Sequence, residues 1–150
     1  MKLKYIFTLL GVMLLGLTSC GKKDAPKTES NNPFAGTQWE YIQSTAKEQG
    51  ESEILTATID FTDDSHFSFQ TSYKVTAKDG SIKKSRETNK VNGTYTYNGL
   101  VATATATTVN KDEQKTAKLI LTMDEAKQKL TAVSSPEGEK EQTATFTRKK

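Results

Sequence analysis

The stretch Leu55-Thr56-Ala57-Thr58-Ile59-Asp60-Phe61-Thr62-Asp63-Asp64-Ser65-His66-Phe67-Ser68-Phe69-Gln70-Thr71-Ser72-Tyr73-Lys74-Val75 decides the fold. Leu55, Ala57, Ile59 and Phe61 alternate with Thr56, Thr58 and Asp60, and Phe67, Phe69, Thr71, Tyr73 and Val75 then resume the alternation. A period of two places one set of side chains on each face of an extended chain, so both runs read as half-buried strands. Thr62-Asp63-Asp64-Ser65 supplies the turn, because Asp and Ser side chains hydrogen-bond the backbone nearby. Together the two runs predict an antiparallel hairpin.

The same pattern continues toward the C-terminus. Lys78-Asp79-Gly80 marks a turn, and the charged, weakly alternating Ser81–Val91 predicts an exposed edge strand whose lysines discourage sheet-to-sheet pairing. Asn92-Gly93 is a candidate bend or bulge. Thr94–Tyr97 reads as a strand, and Asn98-Gly99 is the strongest two-residue hairpin signal in the chain. A two-residue loop there puts Tyr95, Tyr97, Leu100, Ala102, Ala104 and Ala106 on one face; a longer loop would slip the register and flip the second strand. Leu119, Leu121 and Met123 alternate with Lys118, Ile120 and Thr122. Met123–Leu130 has some helix propensity, but its place between two strand-like runs favours a turn over Asp124–Lys129. Leu130–Val133 and Thr143–Arg148 are the last strands.

Toward the N-terminus, Gly36–Ile42 carries the single Trp and reads as the first strand, followed by a polar loop over Ala46–Glu53. Abundant Thr and turns about every ten residues predict an all-β fold, an antiparallel up-and-down meander of about eight strands. It should occupy 33–150. Gly21–Asn32 has little to bury and reads as a tether.

The N-terminal residues have a different chemistry. Lys2 and Lys4 precede a mostly apolar run from Tyr5 to Leu17, about the length of a signal-peptide core and short of the ~20 residues of a spanning helix. The run ends Leu17-Thr18-Ser19-Cys20, which resembles the lipobox of bacterial lipoproteins at every position. The resemblance implies cleavage of 1–19, a diacylglycerol thioether on Cys20, and acylation of the new amino group. Residues 20–32 would then link the anchor to the domain. Gly21, where an Asp retains lipoproteins at the inner membrane, implies delivery to the outer membrane; the side that the domain faces stays open. Processing removes two basic residues and no acidic one, lowering the formal net charge from +3 to +1. No basic stripe with interleaved aromatics points to nucleic acid. Cys20 is the only cysteine, so a lipidated chain forms no disulfide and relies on burial.

A Gly36-Thr37-Gln38-Trp39 opening before an up-and-down meander resembles the lipocalins, where a Gly-x-Trp signature begins the first strand. In that family an Arg near the last strand packs across the Trp at the closed end of the barrel. The resemblance implies a lipocalin-like barrel and structural roles for Trp39 and Arg148, although Gly36 and Trp39 are one residue further apart than the signature.

The residues offer little chemistry. His66 is the single histidine, and Asp63-Asp64 and Asp124-Glu125 read as turn residues. No phosphate loop, nucleophile elbow or calcium loop occurs. The sequence therefore predicts a non-catalytic binding protein with no cofactor and no metal. Candidate ligand-binding residues on the expected inner face are Phe67, Phe69, Tyr73, Tyr95, Tyr97, Ala102, Ala104 and Met123. Small residues opposite aromatics either leave a cavity for an apolar ligand or are filled by tyrosine rings, and close packing favours the filled core. Two partner classes follow: an apolar small molecule inside, or an envelope or host protein bound through loops or the strand near Lys83–Arg86. An enzyme would require a carboxylate pair that converges only in the fold.

Overall fold

The computed structural model describes residues 31–47, 50–88, 90–110, 113–135 and 141–150. Among them are nine strands: β1 (Gln38–Ala46), β2 (Ser52–Phe61), β3 (His66–Thr76), β4 (Ile82–Glu87), β5 (Val91–Asn98), β6 (Val101–Asn110), β7 (Glu113–Met123), β8 (Lys129–Ser134) and β9 (Gln142–Arg148). Every pairing is antiparallel. β1, β2, β3, β5, β6, β7, β8 and β9 pair in that order and β9 returns to β1, closing an eight-stranded barrel with β4 attached outside the ring.

The expected hairpin is present, with Phe61 opposite Phe67 and Leu55 opposite Tyr73. Its turn works as the sequence suggests: Asp63 Oδ1 accepts from the amides of Ser65 and His66, each at 2.8 Å. At the next strong hairpin signal Asn98 pairs with Val101, so the loop is Gly99-Leu100, one residue later than Asn98-Gly99. Gly99 holds φ 58°, which suits the first central position of a type II′ turn. The shift leaves the expected faces unchanged, and Tyr95 and Tyr97 stand opposite Ala104 and Ala102. Asp124–Lys129 is a turn, held by Asp124 Oδ1 accepting from the amides of Gln128 and Lys129.

Three boundaries differ from expectation. β1 runs to Ala46 because all its residues find partners in β2, down to Ala46 opposite Ser52. Asn32, expected in the tether, is buried in the domain. The irregularity expected at Asn92-Gly93 lies earlier, between the β4 pairing that ends at Ser72–Glu87 and the β5 pairing that ends at Phe69–Val91. Thr88 fills that bulge: its Oγ1 accepts from the Thr71 amide at 3.0 Å, and its amide donates to the Thr71 carbonyl at 2.9 Å.

The bulge shapes the barrel. β3 pairs with β5 over His66–Phe69 and with β4 over Ser72–Thr76, so β4 leaves the wall that β5 belongs to. Beyond Ala106, β6 pairs with β7 alone among the described residues. On the opposite side, β1 pairs with β9 at Trp39–Arg148 and Glu40–Thr147, then continues paired with β2. Both seams part toward the same end. The barrel is therefore closed at the Phe61–Phe67 turn and splayed at the end where β1 finishes and β2 begins.

The closed end is filled from the N-terminal side. Phe34 is fully buried, with ring centroids 5.2 Å from Phe61, 6.2 Å from Tyr95 and 6.4 Å from Tyr97. The Gly36 amide donates to the Phe61 carbonyl at 2.8 Å, and the Phe61 amide donates to the Thr37 carbonyl at 2.9 Å. Burying a side chain of this size contributes about 2–3 kcal/mol, so Phe34 belongs to the core.

Gly93 sits where β5 crosses β3. A Cβ there would lie 2.5 Å from Phe67 Cε1 and in still closer contact with the Thr105 carbonyl oxygen. Neither backbone nor a core ring can yield cheaply. Gly93→Ala should lower stability by about 1–3 kcal/mol, read from the urea midpoint at constant slope, whereas Gly80→Ala, whose Cβ meets nothing, should cost less despite its positive φ.

Candidate functional site

The inward residues change character along the barrel. At the closed end they are sealed. Exposure then rises toward the splayed end on three strands: from 1% at Phe67 to 6% at Phe69 on β3, from 0% at Leu121 to 8% at Leu119 on β7, and from 2% at Phe146 to 7% at Ala144 on β9. Further out, Tyr41, Leu55 and Tyr73 are half-buried. The more accessible inward residues thus lie toward the splayed end, the mouth of the barrel.

Its lining follows from the registers. One wall presents Tyr41, Leu55, Phe69, Thr71 and Tyr73, and the other presents Ala106, Leu119, Ala132 and Ala144. Aromatic and aliphatic side chains thus stand on the first wall and mostly alanines on the second. The rim is polar. Glu53 on β2 pairs with Lys47 at 2.5 Å, and Glu51 pairs with Lys83. Tyr73, opposite Leu55, has its hydroxyl pKa raised, first by loss of solvent and then by its hydrogen bond to Glu53.

The candidates read from sequence divide between the two ends. Phe67, Tyr95, Ala102, Ala104 and Met123 lie in the sealed part of the core. Phe69 and Tyr73 reach the mouth. Tyr97 shares the Tyr95 face but is 41% exposed beside Phe34 at the closed end. Gln142, Leu119, Ala132 and Ala144, which sequence reasoning did not single out, belong to the mouth wall. The alternation around Leu119 placed that residue inward; only the strand pairing shows how deep it sits.

Tyr95 is a structural tie. Its hydroxyl donates to the Asp63 carbonyl at 2.6 Å and accepts from Asn32 Nδ2 at 2.8 Å, and Asn32 Nδ2 also reaches the Asp64 carbonyl at 3.2 Å. It thereby joins the β5 wall, the β2–β3 turn and the incoming chain. Trp39 is also fully buried; its Nε1–H donates to Thr37 Oγ1 at 2.8 Å, and the Arg148 guanidinium lies 5.9 Å from the ring centroid. Arg148 Nη1 also donates to the Lys127 carbonyl at 3.4 Å.

His66 is exposed at the β2–β3 turn, its Nδ1 2.9 Å from the Asp63 carboxylate. Among the described residues, no three His, Cys, Asp or Glu side chains gather closely enough to hold a metal ion, and no helix is long and apolar enough to cross a membrane. Cys20 and the expected signal lie outside the described residues. Compared with known proteins, the chain matches no family model, no curated protein and no solved structure. The candidate site is therefore defined by the barrel's own geometry.

Burial raises the Tyr95 hydroxyl pKa from 10.0 to about 12. A folded pKa above the unfolded one keeps the neutral phenol in the native state, so this contribution is complete below pH 10 and disappears as pH rises from 10 toward 12. Tyr95→Phe should be less stable near pH 7 because it leaves Asn32 and the Asp63 carbonyl with one partner fewer. Its stability should also fall less steeply between pH 10 and 12 than that of the wild type, as measured by denaturant melts across that range.

Proposed function

We propose that this protein is a lipid-anchored envelope lipoprotein, delivered to the outer membrane, whose barrel forms a cup for a small apolar ligand. The observation that carries the reading is the gradient along the inward residues, from a sealed aromatic floor to a mouth walled by alanines and half-buried apolar side chains. Small barrels use such interiors to hold one small ligand. The Trp39–Arg148 contact is the arrangement that the lipocalin resemblance implies, and it supports the same reading.

The lipobox at Leu17–Cys20 supports the anchor. The folded domain begins at the closed end with Asn32 and Phe34, and Gly21–Asn31 can reach at most ~40 Å. An anchor at Cys20 would join the domain at its closed end, the end away from the mouth.

A second reading is favoured by β4. All its residues are exposed, and among the described residues it pairs only through β3. With Lys83, Lys84 and Arg86, it offers a charged surface to an envelope or host protein.

Intact mass of the membrane-extracted chain tests the anchor: loss of 1–19 and an added diacylglycerol and acyl mass at Cys20 are expected, and an unmodified Cys20 would refute it. Native mass spectrometry after gentle extraction tests the cup. A reproducible bound mass released by organic solvent is expected. A bare barrel, with no change in Trp39 or tyrosine fluorescence on titration with apolar compounds, would leave the β4 surface as the better reading.

A further inference from the structure

Gln142 opens β9 on the mouth side. It continues the inward series Phe146, Ala144, Gln142 and stands opposite Ser134 of β8, which in turn stands opposite Leu119 of β7. Its Oε1 is buried, yet no group of the protein donates to it. A buried acceptor without a donor loses its hydration with nothing in return, and native proteins rarely leave one without a role. The other such atom among the described residues, Ser68 Oγ, lies between the inward-facing Phe67 and Phe69 and so on the outer face.

Among the described residues, none donates a hydrogen bond to Gln142 Oε1. Ala144 and Ala132 beside it carry no side-chain donor, and the polar groups of the facing wall are engaged: Thr71 Oγ1 with Thr88 Oγ1 at 3.0 Å, and Tyr73 with Glu53. Ser134 is the hydroxyl directly opposite it on β8. Beside Gln142, the described inward residues of β8 and β9 are thus Ala132, Ala144 and Ser134.

We infer that the ligand of the mouth is an apolar molecule carrying a hydroxyl or N–H donor, which Gln142 Oε1 accepts, rather than a pure hydrocarbon or an ester or ether lacking a donor. The inference rests on the cup reading and adds to it the polar group by which the ligand is recognised. The apolar body packs against Ala106, Ala132 and Ala144. The donor selects among apolar bodies, because a site built to accept one hydrogen bond rejects the analogue that lacks it.

The test uses the full chain in phosphatidylcholine nanodiscs and two radiolabelled probes, 1-decanol and its methyl ether, counted on immobilised discs against empty discs. Both probes partition into lipid, so the comparison is between wild type and variants in identical discs. The wild type is expected to retain decanol about five- to tenfold more tightly than the ether, the size of one hydrogen bond. Gln142→Leu should bring the two together by weakening decanol alone, and Gln142→Glu, which keeps an acceptor, should restore the preference. The Gln142→Leu protein should also melt at a higher temperature without ligand, because it no longer buries an unpaired acceptor. Equal retention of both probes by the wild type, or a decanol preference that survives in Gln142→Leu, would overturn the inference while leaving the cup intact. Retention of neither probe would overturn the cup itself, and this inference with it.

Discussion

The seam between β1 and β9 makes a barrel out of this sheet, and among the described residues it consists of two residue pairs, Trp39–Arg148 and Glu40–Thr147. So short a ladder cannot close a barrel through its own hydrogen bonds, each worth about 1 kcal/mol net. What holds it is the burial around Trp39. The ring is sealed, its N–H is satisfied by Thr37, and Thr37 in turn donates to the Phe34 carbonyl at 2.5 Å. Arg148 adds a cation over the ring, worth about 0.5–1 kcal/mol at an exposed site. Burial of Trp39 and Phe34 outweighs that contribution several-fold. The closed end is thus an aromatic floor on which the strand ends converge, and both chain ends enter the domain there.

The mouth follows from the same economy of pairing. With Thr88 bonded to Thr71 between the two pairings, β4 and β5 no longer act as one strand along β3. The wall opens on that side as it opens between β1 and β9 on the other. A bulge commonly bends its strand and ends regular pairing. Here it accompanies a barrel that is solid at its base and splayed at the other end.

Floor and mouth differ in how their polar groups are satisfied. At the floor Tyr95, Asn32, Thr37 and Trp39 form a closed set of hydrogen bonds, which favours a single rigid arrangement. At the mouth the ion pairs lie on the rim, where solvent screens them and each contributes little. Inside the mouth Gln142 keeps an acceptor unmet.

Much of this was written locally. The alternation from Leu55 to Val75 determined which side chains face inward, because Cβ direction in a strand reverses at every residue whatever the strand pairs with. Asp63 and Asp124 determined their turns through hydrogen bonds that span only a few residues, and the one-residue shift of the loop after Asn98 preserved the faces because it moves every cross-strand partner by two, the strand period. Residues 17–20 carry the lipobox resemblance for the same local reason. Only the tertiary structure decided that Phe67, Tyr95 and Ala102 are sealed while Phe69 and Tyr73 reach the mouth, since depth depends on where the seams part. The bulge at Thr88 and the burial of Asn32 and Phe34 were likewise hidden, each arising from a partner distant in sequence. Gln142 looks like any polar strand residue until the fold buries its Oε1, because an unpaired acceptor is a property of surroundings assembled from distant parts of the chain.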